Sequence, residues 1–295
     1  RRQGHWFDRY QDVYLAVEHG AQFIQQLDLA QLEMDSLADG VYSSTAPHLR
    51  HAAIRRLYDA MVKNAFDIGK DRRDGRACRV LDIGAGDGIA TASFLRLGAH
   101  VMAVDVSERQ LQQLQVSCKS LPGQLTIRCA DIDSILEEDA QFDIIVANSL
   151  LHHIPDYLDL IQRCISRLSA DGVFFSFQDP MWRASMSRRD ACLSWMAYVL
   201  WRLRQGDVLG GIWRRVRRMT GIYSPDSLHD NVEYHAVRDG VDQERIAELL
   251  SSAGFICEIA RYCSFHSEVV QPFGEWLAIR NTFGIVAMKS LPLDD

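Results

Sequence analysis

The sequence predicts an α/β fold built on a doubly wound, mostly parallel sheet, with a helical cap ahead of it and a helical insertion after the fifth strand. Three observations predict it. From Arg79 onward, short apolar runs alternate with amphipathic helices, the pattern of parallel strands joined by crossover helices. Several runs are apolar throughout, as strands buried on both faces are. The first of them, Arg79–Ile83, runs into three closely spaced glycines and opens directly into a helix.

The elements follow in order. Residues 1–78 read as mostly helical, with Ala53, Ile54, Leu57, Met61 and Ala65 at helical spacing. Polar residues 71–75 then mark a boundary. Strands are predicted over Arg79–Ile83, His100–Asp105, Leu125–Ala130, Phe142–Ala147 and Gly172–Gln178, with helices over Ile89–Leu97, Glu108–Lys119 and Tyr157–Leu168 between them. Ser107 with Gln110 makes a capping box, and Ile161, Cys164, Ile165 and Leu168 form one apolar helix face. After Gln178 the alternation stops for about sixty residues, longer than an ordinary connection. It resumes with a helix over Asp242–Ala253, a C-cap at Gly254, and strands Phe255–Cys263 and Thr282–Lys289, which bring the sheet to seven. The chain therefore divides into a cap (1–78), a core (79–179), a helical insertion (180–240) and the end of the core (241–295).

Composition narrows the function. The 295 residues are 47% hydrophobic and 24% charged, enough for one large domain with additions. A formal net charge of -7 and a pI near 5.8 argue against a nucleic-acid partner. Charge is uneven, with nine arginines against two acids between Arg183 and Arg218. The seven cysteines include no C-x-x-C pair, so neither zinc nor redox chemistry is indicated. Their scatter fits reduced thiols in the cytoplasm. The first residues show no signal-peptide pattern. The longest apolar run, Ala191–Trp201, is too short to span a bilayer. A soluble, at most peripheral, protein is expected.

The chemistry concentrates in the core. Val80-Leu81-Asp82-Ile83-Gly84-Ala85-Gly86-Asp87-Gly88 is a strand, a glycine turn and a helix start. Glycine lets a ligand approach the main chain closely. A dinucleotide site has the same outline, but its G-x-G-x-x-G pattern needs a third glycine where Ile89 stands. Asp105 ends the second strand about twenty residues on, where a carboxylate can hold both ribose hydroxyls. Asp131 ends the third strand, and Asn148 ends the fourth, followed by Ser149-Leu150-Leu151-His152-His153-Ile154-Pro155-Asp156.

Over residues 79–178 this ordered set closely resembles the class I S-adenosylmethionine-dependent methyltransferases, whose core is Rossmann-like; residues 241–289 resemble them in topology. The resemblance implies S-adenosylmethionine as cofactor and a closing antiparallel strand pair, while the cap and the insertion suggest an enclosed site that favours a small-molecule acceptor. It sets the Gly84-Ala85-Gly86 turn and Gly88 against the methionine moiety, and gives Asp82 a part in orienting the amino group. Asp105 holds the ribose, Val106 lies against the adenine, and Asp131 with the Ile132 backbone reads the adenine edge. Asn148 meets the methionine amino group.

Each residue also has a plainer reading. Asp105 can cap the helix beginning at Ser107, and Asp131 can be a turn residue. His152 and His153, beside the cofactor pocket, can serve as a base or shape the site. A base is needed only if the acceptor arrives protonated. In the insertion, Trp182, Trp195, Trp201 and Trp213 beside the arginines fit three readings: a pocket for a bulky, specialised or lipid-like acceptor, a helix touching a membrane surface, or ordinary packing. His229, Glu233 and His235 could gather a metal, though nothing else in the sequence supports one. Trp6, Phe7, Tyr10 and Tyr14 can close over the site or pack the N-terminal helix. A membrane-surface enzyme or binding module is one rival function, and two others share much of the pattern. One is an enzyme that binds S-adenosylmethionine without transferring methyl. The other is a nicotinamide-dependent oxidoreductase, disfavoured by Ile89, Asp131 and the histidine segment.

Overall fold

A computed structural model describes residues 50–71, 75–154, 156–205, 240–265 and 267–289. The seven predicted strands are present as β1 (Arg79–Ile83), β2 (His100–Asp105), β3 (Gln124–Cys129), β4 (Phe142–Asn148), β5 (Leu168–Pro180), β6 (Phe255–Tyr262) and β7 (Thr282–Lys289). They form one sheet in the order β3-β2-β1-β4-β5-β7-β6. β1 to β5 are parallel, while β7 lies antiparallel to both β5 and β6. The expected mostly parallel, Rossmann-like sheet with its closing antiparallel pair is therefore realised.

Two apolar layers explain why the central strands read as unbroken hydrophobic runs. Alternate residues point to opposite faces of a strand. Val80, Val101, Ile144 and Phe175 enter one layer, and Leu81, Ile83, Ile145 and Phe174 enter the other. The first layer is covered by α1 (Ala52–Asp71), α2 (Ile89–Arg96) and α3 (Glu108–Cys118); α4 (Ile132–Glu137), α5 (Tyr157–Ser166) and α7 (Gln243–Ser252) cover the second.

The helix expected around Ala53–Ala65 is α1, and it packs directly on β5 and β4. Its buried stripe holds Ile54, Tyr58, Met61, Val62, Ala65 and Phe66. The Tyr58 ring meets Phe177 edge-on at 5.1 Å between centroids. This part of the predicted cap is thus a layer of the core itself.

Several boundaries differ from the sequence reading, and Leu168, expected on the apolar face of the helix Tyr157–Leu168, instead opens β5 after α5 ends at Ser166. β5 begins at Leu168 because that residue pairs with Phe142, and it ends at Pro180 because Asp179 and Pro180 pair with β7. Helices α4 and α8 (Gln271–Trp276) were not predicted; six residues are too few to show a 3.6-residue period. The capping box is half formed. Ser107 Oγ accepts from the Gln110 amide at 3.4 Å, but the Ser107 amide donates to Asp105, leaving no return bond from Gln110.

The insertion leaves and rejoins the core at one point. Met181 and Val241 form an isolated parallel bridge, with Val241 N donating to Pro180 O and Trp182 N to Val241 O, each at 2.9 Å. Within the insertion, expected to be helical, the described residues form the long helix α6 (Arg188–Gln205). Gly240 makes the close approach feasible: a Cβ there would lie 2.1 Å from the Met181 carbonyl oxygen, on a residue with φ +91°.

Gly240→Ala should therefore cost more than its backbone conformation alone. Gly98 has φ +86° with open space around a Cβ, so Gly98→Ala measures the conformational part, about 1–2 kcal/mol. Urea unfolding should give Gly240→Ala a loss of at least about 1 kcal/mol beyond that. Equal losses would mean that the insertion base is not rigid.

Candidate active site

The site lies at the carboxyl ends of the parallel strands. β1 has β2 on one side and β4 on the other, so the chain leaves these strands in opposite directions and opens a crevice between them. β1 enters that crevice through Gly84, Gly86 and Gly88, with φ of +64°, +54° and +88°. Ala85 N donates to Val104 O and Gly88 N to Ala85 O, both at 2.9 Å. The glycines divide their tasks. Gly88 is buried, and a Cβ there would stand 2.5 Å from Leu114 Cγ, so it lets α2 pack on α3. Gly84 and Gly86 remain partly exposed, and Ala85 is buried beneath them. A Cβ at Gly84 would meet Leu150 at 2.6 Å, so the glycine loop borders the turn that carries the two histidines.

Asp105 ties the loop to β2. Its Oδ2 accepts from Gly86 N at 2.8 Å and its Oδ1 from Ser107 N at 2.9 Å. It therefore supports the start of α3, as the plainer reading has it, and also holds the glycine loop. A carboxylate offers about four acceptor positions. Val106 follows it, partly exposed.

Asp82 and Asn148 each present a buried acceptor atom. Asp82 is 1% exposed and takes the Thr91 hydroxyl proton on Oδ2 at 2.6 Å. Its Oδ1 and the Oδ1 of Asn148 are buried with no hydrogen-bond partner among the described residues. Burial pushes the Asp82 carboxyl up to about 7, against the lowering effect of Thr91. An orphaned buried acceptor costs about 1–3 kcal/mol, which a ligand carrying N–H donors would offset. Asp131 is the N-cap of α4, accepting from Ser134 N at 2.8 Å; Ile132 beside it is partly exposed.

His152 and His153 share one 3-10 turn, Leu151–His153, with ring centroids 4.1 Å apart. The structure adds a residue that sequence reasoning missed. Asp179, fully buried, receives both the ring Nδ1 of His152 at 2.8 Å and its backbone N–H at 3.2 Å on Oδ1. Burial pushes the Asp179 carboxyl up, opposed by its bonds to His152.

A β-bulge places Asp179 there. Phe177 pairs with Gly284 and Asp179 with Phe283, which leaves Gln178 as the extra residue, at φ +70°. In an unbroken strand Asp179 would point with Phe177 toward α1; the bulge re-aims it. The signal in the sequence was an acid just after the apolar run Val173–Phe177 and just before Pro180.

The remaining predicted residues are more scattered. Tyr198 and Trp201 of α6 line a cavity of about 160 Å³ with Ser264, Phe265 and Asn281. Trp195 is exposed, as are Arg183, Arg188 and Arg189, and Arg189 donates to Leu277 O at 2.9 Å. Trp213, the trio His229, Glu233 and His235, and Trp6, Phe7, Tyr10 and Tyr14 lie outside the described residues. Among the described residues, no group of three or more His, Cys, Asp or Glu could hold a metal ion, and no helix is long and apolar enough to cross a membrane.

The raised Asp82 carboxyl makes a pH prediction. The folded state binds this proton more tightly than the unfolded chain, so the Asp82 contribution to stability falls as pH rises from about 4 to about 7. Thermal melts across that range should show a declining contribution that Asp82→Asn removes. Parallel pH dependence in both proteins would contradict it.

Comparison with known proteins agrees with this geometry. Residues 80–172 match the family described as methyltransferase domain. A ubiquinone biosynthesis O-methyltransferase of Xanthomonas campestris is 31% identical over 98 residues, 33% of this chain and 41% of that protein. One from Coxiella burnetii is 32% identical over 98 residues, 33% of this chain and 42% of that protein. The chain thus spans about two-fifths of the length of these relatives. Among solved structures, the plantazolicin methyltransferase BpumL, in complex with SAH, shares the fold with a TM-score of 0.50 and 14% identity, over 90% of this chain and 95% of that one. Residues 80–172 thus match a methyltransferase domain, on a seven-stranded sheet that shares its fold with a solved methyltransferase.

Proposed function

We propose that this chain transfers a methyl group from S-adenosylmethionine to a small or medium-sized molecule, releasing S-adenosylhomocysteine. The observation that carries the reading is Asp105, a buried acid at the end of β2 bonded to the backbone of the glycine loop. It puts a hydroxyl-binding carboxylate and an exposed glycine main chain side by side. Two of the buried acceptors without a partner among the described residues, Asp82 Oδ1 and Asn148 Oδ1, supply what an amino group requires.

Each residue then has a task. The Gly84–Gly86 main chain lies along the methionine moiety and Asp105 accepts the ribose hydroxyls. Val106 and Ile132 give apolar contact to the adenine, with Asp131 at its edge. Asn148 and Asp82 orient the amino group. The cofactor supplies an electrophilic methyl on a sulfonium, and much of the rate then comes from holding the acceptor in line with it. The described start of the insertion, from the Met181–Val241 bridge through α6, is assigned to acceptor binding.

The relatives named for O-methylation in ubiquinone biosynthesis support a small acceptor. All seven cysteines are free, which favours a reducing compartment, the cytoplasm. A nicotinamide cofactor fits less well, since Ile89, the first residue of α2, stands where a dinucleotide turn needs its third glycine.

Calorimetric titration with S-adenosylhomocysteine tests the reading. Wild type should bind in the micromolar range, and Asp105→Ala should weaken binding by at least about tenfold, a loss of about 1.4 kcal/mol. Well-folded wild type that ignores S-adenosylhomocysteine but binds a nicotinamide dinucleotide would overturn it.

A further inference from the structure

We propose that the cavity between α6 and the ends of β6 and β7 holds a neutral aromatic ring of the acceptor, well away from the atom that receives the methyl group. The proposal rests on the methyl-transfer reading and deepens it. It limits the acceptor to an extended molecule, with one uncharged ring at one end and the nucleophilic atom at the other.

The cavity stands at the same edge of the sheet as the glycine loop and Asn148. The segment carrying α6 leaves the core at Met181, just past β5. Thr282 pairs with Pro180 at the end of β5 and with Tyr262 at the end of β6. Asn281 and Ser264, the next residues outward, line the cavity, and Met181 N donates to Asn281 O at 2.9 Å. Hydrogen bonds join the two places. Ser149 N, next to Asn148, donates to Phe177 O at 2.7 Å, and the side-chain amide of Gln178 donates to Ser264 Oγ at 2.7 Å. β5 separates β4 from β7 in the sheet. At about 5 Å per strand, the cavity lies roughly 10 Å from Asn148.

The size and lining of the cavity select its occupant. Its volume is about 160 Å³, close to the roughly 150 Å³ of an apolar cavity that takes up one benzene. Ala197, Tyr198, Trp201 and Phe265 supply its apolar wall, and none of its lining residues is acidic or basic. The Asn281 amide is already engaged. Its Oδ1 accepts from Ser264 N and from the Thr282 hydroxyl, and its Nδ2 donates to Ser264 O.

An ionised group would enter this space without a counter-ion, which is costly. A cation held between ring faces is excluded by spacing. The Tyr198 and Trp201 centroids are 6.1 Å apart, less than the about 7 Å that two van der Waals contacts require, so these rings form a single wall. One polar demand remains. Ser194 Oγ is buried with no hydrogen-bond partner among the described residues, and a hydroxyl or carbonyl on the ring would meet it.

The test uses the full chain and four probes: phenol, toluene, benzoate and tetramethylammonium. Saturation-transfer NMR follows each probe with and without S-adenosylhomocysteine. Phenol should bind wild type with a Kd in the millimolar range, and the two charged probes at least about tenfold more weakly. S-adenosylhomocysteine should leave phenol binding unchanged within about twofold, because the two sites are separate. Ala197→Phe fills the cavity and should abolish phenol binding. Ala197→Leu fills less of it, should weaken phenol about tenfold, and decides the matter if Ala197→Phe fails to fold. Ser194→Ala should weaken phenol and leave toluene unchanged. For any acceptor that wild type methylates, Ala197→Leu should raise KM.

No phenol binding, equal binding of a charged probe, displacement of phenol by S-adenosylhomocysteine, or indifference of phenol or acceptor to the Ala197 variants would overturn the ring subsite while leaving the cofactor site intact. Wild type that binds phenol but ignores S-adenosylhomocysteine would instead remove the methyl-transfer reading, and with it the assignment of the ring to an acceptor.

Discussion

Asp105 commits one oxygen to the Gly86 amide and the other to the Ser107 amide, and the candidate site takes its shape from that pairing. Parallel strands order only their own hydrogen bonds, and the loops beyond their carboxyl ends need separate anchors. Here the first loop and the end of β2 share one. The carboxylate fixes Gly86 at a left-handed φ, where its main chain stays partly exposed. Ala85 N, bonded to Val104 O, holds the same loop from its other side. The reversal of strand order at β1 then opens the crevice into which the loop faces.

Around this anchor, structural and chemical tasks fall on different residues of the same motif. Gly88 and Thr91 serve the interior, the first by admitting Leu114 and the second by satisfying one oxygen of Asp82. Gly84, Gly86 and Asn148 face the crevice. Asp82 does both, since its bond to Thr91 fixes its rotamer while the other oxygen stays without a partner among the described residues. A buried acceptor in that state marks a ligand site better than an exposed one, because water cannot satisfy it at no cost.

The sequence carried the sheet because the physics is local there. Unbroken apolar runs such as Ile144–Ala147 sit between two apolar layers and cannot read as anything but buried strand or buried helix, and their shortness decides between the two. The glycine loop and Asp105 were legible because backbone angles restrict residue type. Asp179 was not, since its position depends on a one-residue bulge that register with β7 reveals and local pattern does not. The capping box failed for a similar reason. Ser107 and Gln110 have the right spacing, but Asp105, two residues upstream, competes for the same amide. Short helices such as α4 escaped because six residues carry too little period.

The most direct measurement of the central claim is a crystal structure of the full chain with S-adenosylhomocysteine. The ribose hydroxyls should lie within about 3 Å of Asp105 and the amino group within the same distance of Asn148 or Asp82, with the homocysteine along Gly84–Gly86. The ligand bound elsewhere, with Asp82 and Asn148 left unpartnered, would contradict it.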